Sequence, residues 1–171
     1  MMLAEQIYHE TPPYFHAYID LVSMPDIVTG LQFSMDETMM LVDKIPSSKR
    51  NYAYAPGKWT IAEVLRHIID CERIFACRAL RLSRMDSTPL PGFDQDLYTD
   101  NLKNKTVDFT TLVEEYKLVR LSSVLLYKQM DEEMLQFEGT VNGSPVTARA
   151  YGYIINGHNL HHNNIILNRY L

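Results

Sequence analysis

An all-α fold, a four-helix bundle with one long crossover connection, is predicted by three observations. Four long segments carry apolar residues at three- and four-residue intervals, the mark of a helix with one buried face. No long alternating pattern of the kind that strands show competes with them. The stretch from Asp86 to Val107, between the second and third segments, is longer than an ordinary helix-to-helix turn and allows a topology other than simple up-down-up-down.

The first helix is read at Asp26 to Lys44, after Pro25 and before Pro46, with Ile27, Leu31, Met35, Met39, Val42 and Ile45 on its apolar side. Gly30 weakens its first turns, and Ser34 with Glu37 offers a capping box for a later start. The second helix is the clearest. Thr60 and Glu63 form a capping box, and Ile61, Val64, Leu65, Ile68, Cys71, Phe75, Ala79 and Leu82 carry the stripe to about Arg84. The third spans Asp108 to Met130, with Leu112, Tyr116, Val119, Val124 and Tyr127 among Glu114, Glu115, Lys117 and Arg120. Thr147 caps the fourth, which runs through Tyr151, Ile154, Ile155, Ile165 and Ile166 to the end of the chain. Before it, Asn142-Gly143 is a tight-turn signal between Thr140-Val141 and Pro145-Val146, suited to a small hairpin. Residues 1–25 are poorly patterned and are read as an N-terminal arm.

A chain of 171 residues is long enough for one domain with a real core, and no linker or repeat divides it. With 46% hydrophobic and 22% charged residues it has the composition of an ordinary globular protein. Met1 to Gln6 lack the basic start of a secretory signal, and no run of about 18 apolar residues is long enough to span a membrane. A cytoplasmic protein is expected. Its two cysteines, Cys71 and Cys77, point to different faces of one helix and are expected to stay reduced. A net charge of −5 argues against sequence-independent nucleic-acid binding, which needs a basic face.

The chemistry is concentrated in Gly157-His158-Asn159-Leu160-His161-His162. With His158 at zero and about 100° per residue, Tyr151, Ile154, Ile155, Ile165 and Ile166 form a stripe centred near +20°. His162 falls near +40°, inside that stripe, and His161 near −60°, on its flank. His158 and His162, four residues apart on one face, can therefore point at one cation. Burying two imidazoles leaves nitrogens to satisfy, at about 1–3 kcal/mol for each unmade hydrogen bond. A metal satisfies them directly, and His67 on the second helix is the candidate third donor. His161 is a competing ligand. His9 and His16, in the arm, are read as surface residues.

The run Pro56-Gly57-Lys58-Trp59-Thr60-Ile61-Ala62-Glu63-Val64-Leu65-Arg66-His67, continuing to Arg73, together with the closing Gly157 to His162, resembles the DinB/YfiT-like superfamily of metal-dependent enzymes. Leu90-Pro91-Gly92-Phe93-Asp94 and Arg169-Tyr170-Leu171 extend the resemblance over most of the chain. It implies a four-helix bundle with one crossover, dimeric assembly and a divalent metal held by a histidine triad. His67, His158 and His162 match that triad position by position. Relatives include transferases that use low-molecular-weight thiols and proteins described as hydrolases, so a small-molecule substrate is implied and both reactions stay open.

Three protein ligands leave coordination positions open, the arrangement of a catalytic rather than a structural zinc. Imidazole donors accept several ions, of which zinc is expected first and nickel next. Cys71, four residues after His67, is the alternative fourth ligand, although a small buried thiol is the plainer reading. Asp70 either orients an imidazole or, more simply, is exposed and pairs with Arg66 or Arg73. Trp59 staples the start of its helix or stacks on a substrate. Phe93 and Tyr98 line a pocket mouth or pack on a bundle end. Arg78, Arg81 and Arg84 attract an anionic substrate or form a solvated face. The rival reading is a non-catalytic module in which the metal ties two helices or the domain binds a small molecule and dimerises. A third reading has no metal, with the imidazoles hydrogen-bonded to buried carboxylates or waters.

Overall fold

The computed structural model describes residues 3–102 and 108–171. Their helices are α1 (Leu3–Tyr8), α2 (His16–Ile19), α3 (Ile27–Lys44), α4 (Ile61–Ser83), α5 (Gln95–Leu102), α6 (Phe109–Tyr127), α7 (Glu132–Gln136) and α8 (Ala148–Arg169). The four long ones are the four read from the sequence. Each begins at a side-chain cap: Asp26 accepts from the Thr29 amide, Thr60 from Glu63, Asp108 from Thr111 and Thr147 from Ala150. Such caps satisfy amides that the first turn of a helix leaves without partners. At Thr60 the box is complete, because Glu63 Oε2 also accepts from the Thr60 amide at 2.7 Å. The later start of the first helix at Ser34 is not used.

α3 and α4 each pack against both α6 and α8, so α3 lies diagonally across the bundle from α4. Helices consecutive along the chain are thus not all neighbours. The predicted crossover holds α5 as well as loop, and its final residues, 103–107, lie outside the described ones. β1 (Glu138–Val141) and β2 (Ser144–Thr147) form the expected hairpin. Its turn places Asn142 and Gly143 at φ of 50° and 76°, the left-handed region that these residue types tolerate best. Among the described residues no helix is long and apolar enough to cross a membrane.

Two expectations are corrected. The poorly patterned N-terminal arm contributes to the core, with Ile7, Phe15 and Ile19 buried and α2 packed on α8, so its residues are not all at the surface. His16 is half-buried against Tyr8, while His9 is exposed as read. The periodicity failed there because helices of four to six residues hold less than two turns. The core face of α3 is also rotated from the expected one. Ser34 and Thr38 are buried with Leu31 and Leu41, whereas Met35 and Met39 sit at the margin. Polar residues occupy this central line because they bind a buried network, described below.

Candidate metal centre

α4 and α8 face one another with His67 on one and His158 and His162 on the other. All three are buried, at 5%, 4% and 8% exposure. The Nε2 atoms of His67 and His158 are 3.0 Å apart, and those of His158 and His162 are 3.2 Å apart. An imidazole nitrogen carries either one N–H or one in-plane lone pair, so it forms one good hydrogen bond rather than two. His158 Nε2 therefore cannot satisfy both neighbours in that way. Two nitrogens each about 2.0–2.1 Å from a shared ion would lie roughly 2.8–3.4 Å apart, for angles from square to tetrahedral. The observed separations fall in that range.

Burial drives all three imidazoles toward the neutral, ligating form. His67 is lowered to about 4 and His162 to about 2, in each case mainly by desolvation. His158 lies well below its ordinary value for the same reason, helped by the neighbouring histidines. His162 Nδ1 is buried with no hydrogen-bond partner among the described residues. His161 stands on the flank as predicted, half-buried with its ring 5.1 Å from that of Tyr18.

Cys71 Sγ lies 3.6 Å from His67 Nδ1 and 3.7 Å from its Nε2. His67, Cys71 and His158 can each offer one ligand atom, with all three atoms within 4.8 Å of one another. Burial pushes the Cys71 thiol up to about 12. Cys77 is exposed and both cysteines are free, consistent with their opposite faces. Asp70 is half-buried rather than exposed, and Arg73 pairs instead with Glu115 at 2.5 Å.

Two cavities reach the histidines from different sides. One, of about 220 Å³, opens on His158 between Tyr18, Phe75, Arg78 and Phe93. The other, of about 290 Å³, opens on His162 beside Trp59, Lys58, Tyr54 and Tyr170. Trp59 does two things at once: it packs in the core beneath the α4 cap and lies 4.8 Å from the His67 ring. Phe93 lines the first cavity, whereas Tyr98 borders a neighbouring surface cleft. Tyr18, from the arm, sets its ring edge-on to His158 at 5.3 Å.

Behind the histidines lies a polar network that the sequence reading did not anticipate. The fully buried Arg120 of α6 donates to both Glu72 carboxylate oxygens, to Ser34 Oγ, to the Leu31 carbonyl and to Asn159 Oδ1. Tyr116 donates to Asn159 at 2.6 Å, and Asn159 and Asn163 both donate to Thr38 at 2.9 Å. Asn159 and Asn163 each follow a cluster histidine, so the network fixes the rotation of α8 that aims His158 and His162. A signal for it was present. Glu72 lies four residues after Ile68 and Arg120 four before Val124, charges placed on apolar stripes.

Comparison with known proteins places this architecture. No curated protein matches the chain. The family described as the DinB superfamily matches residues 31–166. YfiT from Bacillus subtilis, described as "a probable metal-dependent hydrolase with an unusual four-helix bundle topology", superposes with a TM-score of 0.72 at 17% identity, covering 82% of each chain. YjoA, a DinB-like protein from Bacillus subtilis, superposes with a TM-score of 0.60 at 22% identity, over 82% of this chain and 86% of its own.

Proposed function

Because the chain belongs to the DinB superfamily, we propose that His67, His158 and His162 hold one divalent metal ion and that the protein is a metal-dependent enzyme acting on a small molecule. The reaction is hydrolysis or transfer from a low-molecular-weight thiol. The observation that carries this reading is the convergence of three buried Nε2 atoms, 3.0 and 3.2 Å apart around His158. A bound divalent ion would supply Lewis acidity, bringing the ionisation of a water or a thiol toward neutral pH. Zinc is the first candidate and nickel the second.

The chain's own residues set the conditions for that chemistry. Desolvation keeps the imidazoles unprotonated, so they are ready to bind a cation. Tyr18, Phe75 and Trp59 set aromatic rings beside the cluster, and two cavities lead to it among the described residues. Separate approaches to His158 and His162 suit a reaction of two partners, which supports thiol transfer beside hydrolysis. Cys71, packed beside the His67 ring, is assigned to positioning that ring.

The non-catalytic reading is favoured by one observation, the mutual closeness of His67, Cys71 and His158 donor atoms, which would let a thiolate close the site. Elemental analysis of untagged protein prepared without chelator, followed by spectroscopy of the cobalt-substituted form, separates the readings. Near-stoichiometric metal is expected in the wild type and in Cys71→Ser, with strong loss in His158→Ala and His162→Ala. The cobalt form should show no sulfur-to-metal charge-transfer band. Such a band, lost in Cys71→Ser, would instead identify a site closed by sulfur, and a folded protein that takes up neither zinc nor nickel would remove the enzyme reading.

The same reading includes a homodimer in a reducing, cytoplasmic setting. Leu118, Leu121 and Leu125 stand 69%, 45% and 57% exposed along one face of α6, an apolar stripe that a second copy would cover. Light scattering of the wild type and of Leu118→Glu/Leu125→Glu tests this, with a monomeric variant expected.

A further inference from the structure

We propose that the cavity opening on His158 takes a small organic carboxylate, its anionic end held by Arg78 and its reacting end turned toward the histidine cluster. The inference rests on the reading of that cluster as the reaction centre and adds the class of molecule that enters it.

Arg78 is the buried arginine of α4, where Arg66, Arg73 and Arg81 are not buried. Arg81 pairs with Asp86 at 2.6 Å, Arg73 pairs with Glu115 at 2.5 Å, and Arg84 reaches Ser83 at 3.1 Å and Met134 at the surface. Arg78 is only 7% exposed, yet no carboxylate lies within ion-pairing distance of it among the described residues. Its partners are neutral: the Pro91 carbonyl at 2.7 Å and the Tyr151 hydroxyl at 3.5 Å. A guanidinium has five N–H donors, so two such contacts leave donors for a further acceptor. Its Cζ also lies 5.3 Å from the Phe93 ring centroid and 6.0 Å from that of Tyr151, contacts that fix the plane of the fork.

The cavity beside it carries one sign of charge. Among the described residues Arg78 is the one Arg or Lys that lines it, and no Asp or Glu does, although the chain has 21 acidic residues against 16 basic ones. A buried cation without a counter-ion is costly, and an anion from outside would relieve that cost. The fork of Arg78 matches a carboxylate in two parallel hydrogen bonds. Phe75 lies between the two ends, with its ring centroid 5.7 Å from that of His158, 6.2 Å from Phe93 and 5.7 Å from Tyr151. A molecule seated on Arg78 thus extends along aromatic faces to His158. At about 220 Å³ the cavity is below the range usual for drug-sized ligands, which points to one ring or a short chain.

The test is titration calorimetry with benzoate and its neutral counterpart benzamide, on zinc-loaded and on metal-free protein. Wild type should bind benzoate saturably in both forms and benzamide about tenfold more weakly or worse. Arg78→Met should lose about tenfold or more of the benzoate affinity, Arg78→Lys should lose less, and Arg81→Met should match the wild type. In cobalt-loaded protein the benzoate ring protons should relax faster, because the cavity leads to the cluster. Arg78→Lys keeps the charge and guards against a Met variant that does not fold. Absence of saturable benzoate binding, equal binding of benzamide, or unchanged binding in a folded Arg78→Met would overturn the proposal, as would bound cobalt without effect on benzoate. If the protein takes up no metal but Arg78→Met still loses benzoate, the metal reading fails while the anion site stands.

Discussion

His67, His158 and His162 lie in a core that also holds the cationic Arg120, with His161 on its flank, so protonating any of the three places a charge where little compensates it. His67 is depressed to about 4 and His162 to about 2 from an ordinary value of 6.5. Between those values and 6.5 the unfolded chain binds protons that the folded chain does not, and stability there rises with pH. The contribution is complete above about 6.5 and is lost as pH falls toward 4 for His67 and still lower for His162. We expect the urea midpoint of metal-free protein to drop between pH 7 and pH 5. His67→Leu/His162→Leu should show a flatter dependence over the same interval. Loaded protein should show a steeper one, because protons compete with the ion for the same nitrogens. A midpoint independent of pH in the metal-free wild type would contradict the burial of neutral imidazoles.

The starts of α4 and α8 were legible because Thr60 and Thr147 cap them, a local signal independent of the rest of the fold, whereas Ser34 with Glu37 left the start of α3 open. The i,i+4 pair on α8 was legible for a similar reason, since periodicity alone puts His158 and His162 on the buried stripe. What could not be read was the wall that α2 makes against that helix. Its four residues have no period of their own and are held by contacts from a distant part of the chain. The record of this contact is Gly157. A Cβ there would meet the Tyr18 carbonyl oxygen at 2.0 Å, a backbone atom that cannot turn aside. Gly157→Ala should therefore destabilise by about 1–3 kcal/mol through overpacking, despite the better helix propensity of alanine. It should also push Tyr18 away from His158. Urea unfolding measures the first effect, and faster hydrogen exchange confined to residues 16–19 would report the second. A stabilised variant would show that α2 does not sit against α8 as described.

At the scale of the whole molecule the bundle is held by two kinds of core, an apolar one and the Arg120 network that joins α3, α4, α6 and α8. The network's one sequence signal, Glu72 and Arg120 on apolar stripes, did not reveal it because a charge within a helical stripe is ordinarily assigned to solvent. Its purpose shows only when four helices are assembled and Glu72, Ser34, Asn159 and the Leu31 carbonyl meet one guanidinium. Removing one partner should expose the difference between these cores. Glu72→Gln leaves the fully buried Arg120 without its counter-charge and should lower stability by about 3–5 kcal/mol. Glu72→Leu/Arg120→Met removes both charges and should recover part of that loss, although Ser34 Oγ then lacks a donor and Asn159 Oδ1 keeps only Tyr116. Because Asn159 follows His158, both variants should also weaken metal binding without touching a ligand. Chemical denaturation together with a chelator competition measures the two effects on the same samples. Loss of stability with unchanged metal affinity would mean that the network holds the bundle together but does not aim the histidines.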